Sequence, residues 1–338
     1  MLRLPDFRYH APRTIDEAAD MLAAAPGETM LVAGGTDVLP NMKRRQQVPR
    51  VLVGLRGIAE LKGVRHDDPA TIGAGTTLTE LVADPRIRTE RGALWQAARH
   101  VATPLLRNMG TLGGNLCLDT RCNYYDQNYE WRKAIGFCMK KDGETCWVAT
   151  SSPRCLAVSS TDTAPALLAL GAAVTLVSSE GSRQIPLSDL YRNDGIDYLA
   201  RRPTEILTTI HIPPLNGSRS TYWKLRRRGS FDFPVLSIAA AARIATDGTV
   251  EAARLVVGAV ASRPLEAPAA AASLVGRRLT DEAIAHAAEL TAQPARPMDN
   301  TDFSLLWRKR MTRVFATYAL RELRGDDMRA ERRAVGLW

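Results

Sequence analysis

The 338-residue sequence lacks several features that would place it in a class of protein at once. It has no stretch approaching the ~20 apolar residues that a membrane-spanning helix needs, so we expect no membrane partner. Residues 1–12 have no long apolar run of the kind found in a secretory signal peptide. We therefore expect a cytoplasmic protein whose cysteines stay reduced. The five histidines are scattered and form neither a catalytic triad nor a metal-ligand pattern.

Aromatic residues are also scarce, at 6% of the chain, although the net charge is +9. Basic residues collect near the end, where residues 301–338 hold nine Lys and Arg against five Asp and Glu. Proteins that bind nucleic acids usually combine such charge with a recognisable motif or interleaved aromatic residues. Neither accompanies the charge here. We expect no nucleic acid partner and interpret the basic surface as solvated or as a face that docks another protein.

Two glycine turns are the first positive signal. Gly34-Gly35 follows an apolar segment predicted as a strand and precedes a predicted helix, and Gly113-Gly114 repeats the design beside Thr111 and Asn115. Backbone N–H groups in such turns can cradle a phosphate, although a tight turn without a ligand has the same sequence. Two turns would suit the two phosphates of a dinucleotide. Neither fits the Rossmann G-x-G-x-x-G fingerprint, which favours a different dinucleotide fold.

The order of predicted helices and strands divides the chain. Residues 1–60 form a small α/β unit whose first helix begins with a capping box from Thr14 to Glu17. A second unit, with another capping box at Thr77 to Glu80, extends to a linker predicted at Pro213–Ser220. Residues 220–325 are predicted as an α+β C-terminal domain, and residues 326–338 as a basic tail.

All five cysteines lie in one segment of the second unit. Cys122, Cys138, Cys146 and Cys155 are separated by 15, 7 and 8 residues, and Cys117 precedes them. A reducing cytoplasm argues against disulfides. Structural zinc sites usually contain close C-x₂₋₄-C pairs, which are missing here, and the wide spacing is not a standard [4Fe–4S] signature either. The spacing alone therefore leaves zinc and a [4Fe–4S] cluster open, with Cys117 expected to be a buried thiol outside the set.

Two charged residues have competing interpretations. Asp162 precedes an apolar helix, so it is either the N-cap of that helix or an acceptor for a ribose or a flavin ring. Lys224 lies within a predicted strand, so it is either a solvated lysine or a cation beside a flavin, where it would stabilise the anionic reduced form.

Several of these segments together resemble one family, the FAD subunits of molybdenum hydroxylases, which include xanthine dehydrogenase and carbon monoxide dehydrogenase. The resemblance rests on Leu31–Val38, Gly73–Thr77, Thr111–Asn115, Asp162–Ala169 and Lys224. Most members run directly from the Gly-Gly-Asn turn to the turn that contains Asp162. This chain has an insertion at about residues 117–158 that resembles the β subunits of 4-hydroxybenzoyl-CoA reductases, where it binds an extra [4Fe–4S] cluster. Asp232-Phe233-Pro234 also looks like those subunits, whereas Arg107–Gly110 looks like the wider family.

The resemblance implies an α+β fold: a two-subdomain FAD-binding domain of the vanillyl-alcohol-oxidase/PCMH type and a C-terminal domain of the CO dehydrogenase flavoprotein type. The FAD subdomains would be residues 1–60 and 61–215. It also implies that the chain carries no catalytic residue and binds two cofactors. The residues implied for FAD are Leu31, Val32, Ala33, Gly34, Gly35, Thr36, Asp37, Val38, Thr77, Val101, Thr111, Gly113, Gly114, Asn115, Asp162, Leu207 and Lys224. The residues implied for the [4Fe–4S] cluster are Cys122, Cys138, Cys146 and Cys155.

The implied partners are a large subunit with a molybdenum cofactor and a small subunit with two [2Fe–2S] clusters, assembled as a dimer of heterotrimers. An acidic ferredoxin is the expected electron donor, and the basic surface would suit its docking. The implied reaction is reductive removal of the phenolic hydroxyl of 4-hydroxybenzoyl-CoA. One alternative is a related molybdenum hydroxylase acting on another aromatic or acyl-CoA substrate. An alternative of another class is a zinc-stabilised nucleotide-binding scaffold.

Overall fold

The computed structural model describes residues 3–337. These residues form three β-sheets with helices packed on them, in agreement with the predicted α+β class. Within this part of the chain, no helix combines the length and the apolar composition needed to cross a membrane.

The first sheet contains three parallel strands in the order β1-β3-β2. Its elements are β1 (Arg8–His10), α1 (Ile15–Ala24), β2 (Thr29–Val32), α2 (Val38–Lys43) and β3 (Val51–Gly54). The Thr14 hydroxyl accepts from the Glu17 N–H at 3.1 Å, as predicted for an N-cap. The Glu17 carboxylate, however, accepts from the N–H of Arg13 at 2.7 Å rather than from that of Thr14. The predicted capping box is thus only half formed.

The second sheet contains five antiparallel strands in the order β4-β5-β8-β6-β7. The strands are β4 (Val64–Arg65), β5 (Ala70–Gly73), β6 (Ala173–Ser178), β7 (Gly181–Pro186) and β8 (Ile206–Ile212). Between β5 and β6 lie α3 (Leu78–Ala83), α4 (Pro85–Glu90), α5 (Gly92–Arg99), α6 (Pro104–Arg107), α7 (Leu112–Leu116), α8 (Tyr129–Ala134) and α9 (Thr163–Ala169). The capping box that Thr77 and Glu80 were predicted to form is present at the start of α3.

The third sheet contains four antiparallel strands in the order β12-β11-β10-β9. Its strands are β9 (Arg219–Leu225), β10 (Leu236–Ile244), β11 (Val250–Gly258) and β12 (Leu265–Glu266), followed by α10 (Pro268–Leu274), α11 (Asp281–Ala292), α12 (Leu305–Arg324) and α13 (Arg329–Ala334). The predicted linker at 213–220 is too long. Arg219 already pairs with Ala242 in the sheet, so the strand overlaps the predicted linker by two residues.

Alanines in β10 allow the third sheet to be buried on both faces. Ile238, Ala240 and Ala242 pack with the C-terminal helices, whereas Ala239 and Ala241 belong to the core of the second unit. Because successive strand residues point to opposite faces, small side chains on both faces let two layers approach the same strand. Helix α9, buried along its whole length, packs against β10 and β11 from the side of the second unit. The two domains therefore share a continuous interface.

The residues predicted as a basic tail pack on the C-terminal domain. Met328 and Leu337 are buried in its core. The guanidinium of Arg332, in α13, lies 4.4 Å from the centre of the Trp223 ring and 2.6 Å from the Glu322 carboxylate.

Candidate functional site

The two glycine turns, 34–37 and 109–115, meet in the folded chain. Gly34 lies two residues after the end of β2, and a β-carbon built on it would overlap the backbone carbonyl of Met109. Gly35 has φ +70°, a left-handed conformation that glycine adopts without strain. The Thr36 hydroxyl lies 3.7 Å from where a β-carbon on Gly110 would be. The backbones of the two turns are therefore in contact with each other.

Backbone pairing holds the second turn against the end of β5. The N–H of Leu78 donates to the Gly110 carbonyl at 2.9 Å, and the N–H of Leu112 donates to the Thr76 carbonyl at 2.9 Å. Thr77 lies between these bonds and pairs with Thr111 across an isolated bridge.

The two glycines of the second turn have different surroundings. A β-carbon on Gly113 would press against Ala74, whereas one on Gly114 would meet only the Thr111 hydroxyl, at 3.0 Å. Gly114 is also exposed. It therefore leaves an open face on the turn, of the kind that a ligand approaching the backbone requires.

Asn115 connects this turn to the one that contains Asp162. Its side-chain oxygen accepts from the hydroxyls of Thr161 and Thr163 at 2.9 and 2.7 Å, and from the Thr163 N–H at 3.1 Å. The insertion at 117–158 thus leaves and returns at two turns that are bonded to each other.

Asp162 and Lys224 form a buried ion pair between the two domains. The Lys224 ammonium, fully buried, lies 3.0 Å from the Asp162 carboxylate and donates to the His100 carbonyl at 2.9 Å. The Tyr222 hydroxyl donates to the same carboxylate at 2.7 Å. Burial raises the pKa of Asp162 and lowers the pKa of Lys224, and each charge opposes the shift of the other. Burial, with the nearby Lys224 charge, also lowers the pKa of His100 to about 2, so its imidazole is neutral.

This pair corrects two of the alternative interpretations. Asp162 makes no side-chain hydrogen bond to the start of α9, so it is not a conventional N-cap. Lys224 is not a solvated lysine. Nothing in the sequence indicated the contribution of His100, because it comes from a backbone carbonyl.

Two further predicted site residues, Val101 and Leu207, follow or adjoin residues that support the ion pair and the second glycine turn. Val101 follows His100, and its carbonyl accepts from Arg107 at 2.8 Å. Leu207 lies in β8 opposite Leu176, and the next residue along the strand, Thr208, accepts from Ala74 at 2.8 Å. Ala74 in turn accepts from Gly113, so Leu207 lies beside the second glycine turn.

The four predicted cluster ligands line one cavity. Cys122, Cys138, Cys146 and Cys155 are all buried and share its walls with mostly apolar and aromatic side chains. Cys117 does not line the cavity, as expected, but it is half-buried rather than buried. Burial raises the thiol pKa of Cys122 to about 12 and that of Cys155 to about 11, with neighbouring cysteines adding to both shifts. Thiols that resist ionisation this strongly become thiolates when a metal centre replaces their protons.

The four cysteines are not grouped as the ligands of a single ion would be. Within residues 3–337, no three or more His, Cys, Asp or Glu side chains are grouped closely enough to hold one metal ion. In a [4Fe–4S] cluster each thiolate binds a different iron atom, so its four ligands stand farther apart than the ligands of a zinc ion. Four thiols around one apolar cavity fit the larger group.

Four side-chain contacts join the insertion to α2 and the residues beside it. Arg121 pairs with Asp37, and its guanidinium lies 4.6 Å from the centre of the Phe233 ring in the C-terminal domain. The remaining contacts are Arg44 with Asp126 at 3.0 Å, Gln46 with the Tyr125 carbonyl at 2.6 Å and Gln47 with Asp119 at 3.3 Å. Burial raises the pKa of Asp37, and Arg121 opposes this. Arg121 was not among the predicted site residues, although it directly precedes Cys122 in the sequence.

Comparison with known proteins gives a consistent result. Residues 5–215 match the family described as the FAD binding domain in molybdopterin dehydrogenase, and residues 220–323 match the CO dehydrogenase flavoprotein C-terminal domain. These matches confirm the predicted fold class.

Individual relatives agree with the family matches. The chain is 33% identical over 279 residues to the aldehyde oxidoreductase FAD-binding subunit PaoB of Escherichia coli, covering 79% of this chain and 86% of that protein. It is 31% identical to the carbon monoxide dehydrogenase medium chain of Afipia carboxidovorans, covering 85% and 87%. It superimposes on a chain of the carbon monoxide dehydrogenase of Hydrogenophaga pseudoflava with a TM-score of 0.77 and 26% identity, covering 94% and 97%.

Proposed function

The chain belongs to the molybdenum hydroxylase family as an FAD-binding oxidoreductase subunit, and we propose that it holds FAD and a [4Fe–4S] cluster as adjacent electron carriers. FAD exchanges electrons in pairs or singly and the cluster exchanges them singly, so the two together connect partners of both kinds. The scaffold alternative loses its basis, since the relatives are named as subunits of oxidoreductases and dehydrogenases.

The glycine turns are the proposed site of the FAD pyrophosphate. Supporting observations are the contact of Gly34 with Met109, the left-handed Gly35 and the open face of Gly114. The phosphates would be surrounded by the residues of both turns and by Thr77, that is, by Leu31–Val38, Thr77, Thr111, Gly113, Gly114 and Asn115. Backbone N–H groups carry this binding, which is why side chains at the two glycines would block it.

Val101, Asp162, Leu207 and Lys224 are the proposed neighbours of the flavin. The Asp162–Lys224 pair supports this because it is fixed by Tyr222 and the His100 carbonyl. A charge pair that cannot reorient provides a constant field at a cofactor beside it.

One observation carries the cluster proposal: the four widely spaced cysteines of the insertion converge on one cavity while the fifth stays outside it. The insertion and its resemblance to 4-hydroxybenzoyl-CoA reductases favour that enzyme's reaction, the removal of a phenolic hydroxyl with electrons from ferredoxin. The partners would be a large molybdenum-cofactor subunit and a small subunit with two [2Fe–2S] clusters, in a dimer of heterotrimers.

A second candidate is a molybdenum hydroxylase acting on another substrate. Relatives that are 28–33% identical to this chain belong to enzymes whose names specify different substrates, namely aldehydes, nicotinate and carbon monoxide. One of them is the nicotinate dehydrogenase FAD-subunit of Eubacterium barkeri, at 28% identity. Assaying the purified complex with 4-hydroxybenzoyl-CoA against these substrates separates the candidates.

Cys138→Ser tests the cluster, with Cys117→Ser as the matched control. In the complex purified with its partner subunits, Cys138→Ser should lose the iron of one [4Fe–4S] cluster per flavin and keep its flavin. A serine hydroxyl ionises poorly and is a harder ligand than a thiolate. Ferredoxin-driven turnover should be lost, while dye-linked activity through the flavin should largely survive. Unchanged iron in Cys138→Ser, or the same loss in Cys117→Ser, would refute the assignment.

A further inference from the structure

Lys140 places a buried positive charge in the wall of the cysteine cavity. It lines the cavity with the four cysteines, and its side chain is only 6% exposed. The ammonium lies 2.8 Å from the Asp119 carboxylate and 2.8 Å from the Thr120 hydroxyl, and donates to the Gly195 carbonyl at 2.6 Å. Three bonds use all three ammonium protons.

The surroundings of this ammonium hold it in one position. The rings of Tyr125 and Tyr198 lie 4.9 and 5.5 Å from it and supply further electrostatic attraction. Its partner, Asp119, is itself fixed by the Tyr125 hydroxyl at 3.2 Å and by Gln47 at 3.3 Å. Neither charge can turn toward solvent without breaking several contacts.

A fixed charge at this place acts on the oxidation states of a cluster. A [4Fe–4S] centre with four thiolates is an anion, and one added electron makes it more negative without moving an atom. A nearby cation therefore stabilises the reduced form more than the oxidised form, and burial strengthens the effect by excluding water.

We propose that Lys140 raises the reduction potential of the cluster and that Asp119 limits this effect. The inference rests on the proposed cluster site. Another buried cation of the insertion, Arg132, does not take this role, because its guanidinium is not among the groups that line the cavity.

The test compares four complexes that contain the full chain: wild type, Lys140→Met, Asp119→Asn and the double variant. Iron content and the cluster potential, measured by a titration followed by electron paramagnetic resonance, are the readouts. Lys140→Met should shift the potential to more negative values, since it removes the cation and leaves Asp119 unopposed. Asp119→Asn should shift it the other way, and the double variant should return toward wild type. Lys140→Arg should stay close to wild type.

The outcomes separate the two proposals. A wild-type complex without the cluster signal would refute the proposed function and, with it, this inference. A normal signal and iron content with equal potentials in Lys140→Met and Asp119→Asn would overturn the role of Lys140 alone. If Lys140→Met loses the cluster, Asp119→Asn, which keeps the lysine, decides the case: a positive shift supports the proposal and an unchanged potential refutes it. Lower iron content with an unshifted potential would mean that Lys140 only supports the fold.

Discussion

The two proposed cofactor sites are built in different ways. The glycine turns 34–37 and 109–115 connect regular strands and helices, and backbone hydrogen bonds to residues 74–78 fix the second of them. The cysteine cavity is lined by side chains from a long connection. Within residues 117–158, all of which the structure describes, α8 is the only helix and strand pairing is limited to isolated bridges.

The difference shows what each site depends on. The backbone hydrogen bonds that position the second glycine turn do not involve the insertion, so this turn keeps its supports without it. The cavity depends on contacts with the rest of the chain, from Asp37 and Gln46 on one side and from Gly195 on another. Variants in the glycine turns should therefore change FAD binding alone or the stability of the whole domain. Variants around the cysteine cavity should instead change the content of the proposed cluster.

The largest effect is expected at Gly34. Its β-carbon would overlap the Met109 backbone, so Gly34→Val should separate the two turns, abolish FAD binding and also lower the melting temperature of the FAD-free chain. Gly114→Val is the matched variant. It faces open space apart from Thr111, so it should weaken FAD binding by about tenfold or more, about 1.4 kcal/mol, with the melting temperature preserved.

Flavin content and thermal unfolding without FAD measure both predictions. Full flavin in both variants would show that the turns do not hold the pyrophosphate. An equal drop in melting temperature in Gly34→Val and Gly114→Val would contradict the view that Gly34 is needed for packing and Gly114 only for FAD binding.

A smaller effect is expected at the interdomain ion pair. Lys224→Met leaves the Asp162 carboxylate buried without its cation, which should cost about 3–5 kcal/mol of unfolding free energy. Combining it with Asp162→Asn removes the stranded charge and should recover most of that loss. Chemical denaturation of wild type, Lys224→Met and the double variant measures this, and a double variant as unstable as Lys224→Met would contradict it.

The same single variant should respond to pH. Burial raises the pKa of Asp162 above its ordinary value of 3.8, and loss of Lys224 removes the opposing charge. A carboxyl whose pKa is raised by folding contributes stability below pH 3.8, and this contribution is lost as pH rises through the folded pKa. The deficit of Lys224→Met relative to wild type should therefore shrink as the solution is acidified. A deficit independent of pH would mean that packing rather than charge is responsible.

The smallest effect is expected at Gly195, whose β-carbon would lie 2.6 Å from the Cys155 sulfur. Gly195→Ala should displace this ligand and lower the iron content of the complex while flavin binding stays at its wild-type level. Gly181→Ala, at the first residue of β7 and away from the cavity, meets nothing within 4 Å but strains a backbone with φ +135°. It therefore controls for a general loss of stability. Iron-to-flavin ratios measure the outcome, and equal ratios in both variants would show that the cavity tolerates the added methyl group.

Much of the fold followed from local patterns. The capping box predicted at Thr77 and Glu80 begins α3, and the predicted N-cap Thr14 begins α1. Such features depend on residues within four positions of each other, so a single sequence contains them. The errors at Glu17 and at the linker were shifts of one or two residues at the ends of elements, where competing hydrogen bonds differ little in energy.

The sequence by itself determined the two glycine turns, the set of cysteines and the N-cap residues Thr14 and Thr77, because each rests on residue type and short spacing. Only the tertiary structure decided what charged residues do. Arg121 meets Asp37 from 84 positions away, and Lys224 meets Asp162 from 62 positions away. Burial then sets the strength of these pairs, since charges removed from water must be compensated by whatever the fold brings beside them. The spacing of residues along the chain does not predict which distant charges will meet. For this reason Lys140 could not be distinguished from a surface lysine in the sequence, and only the structure places it in the wall of the cavity.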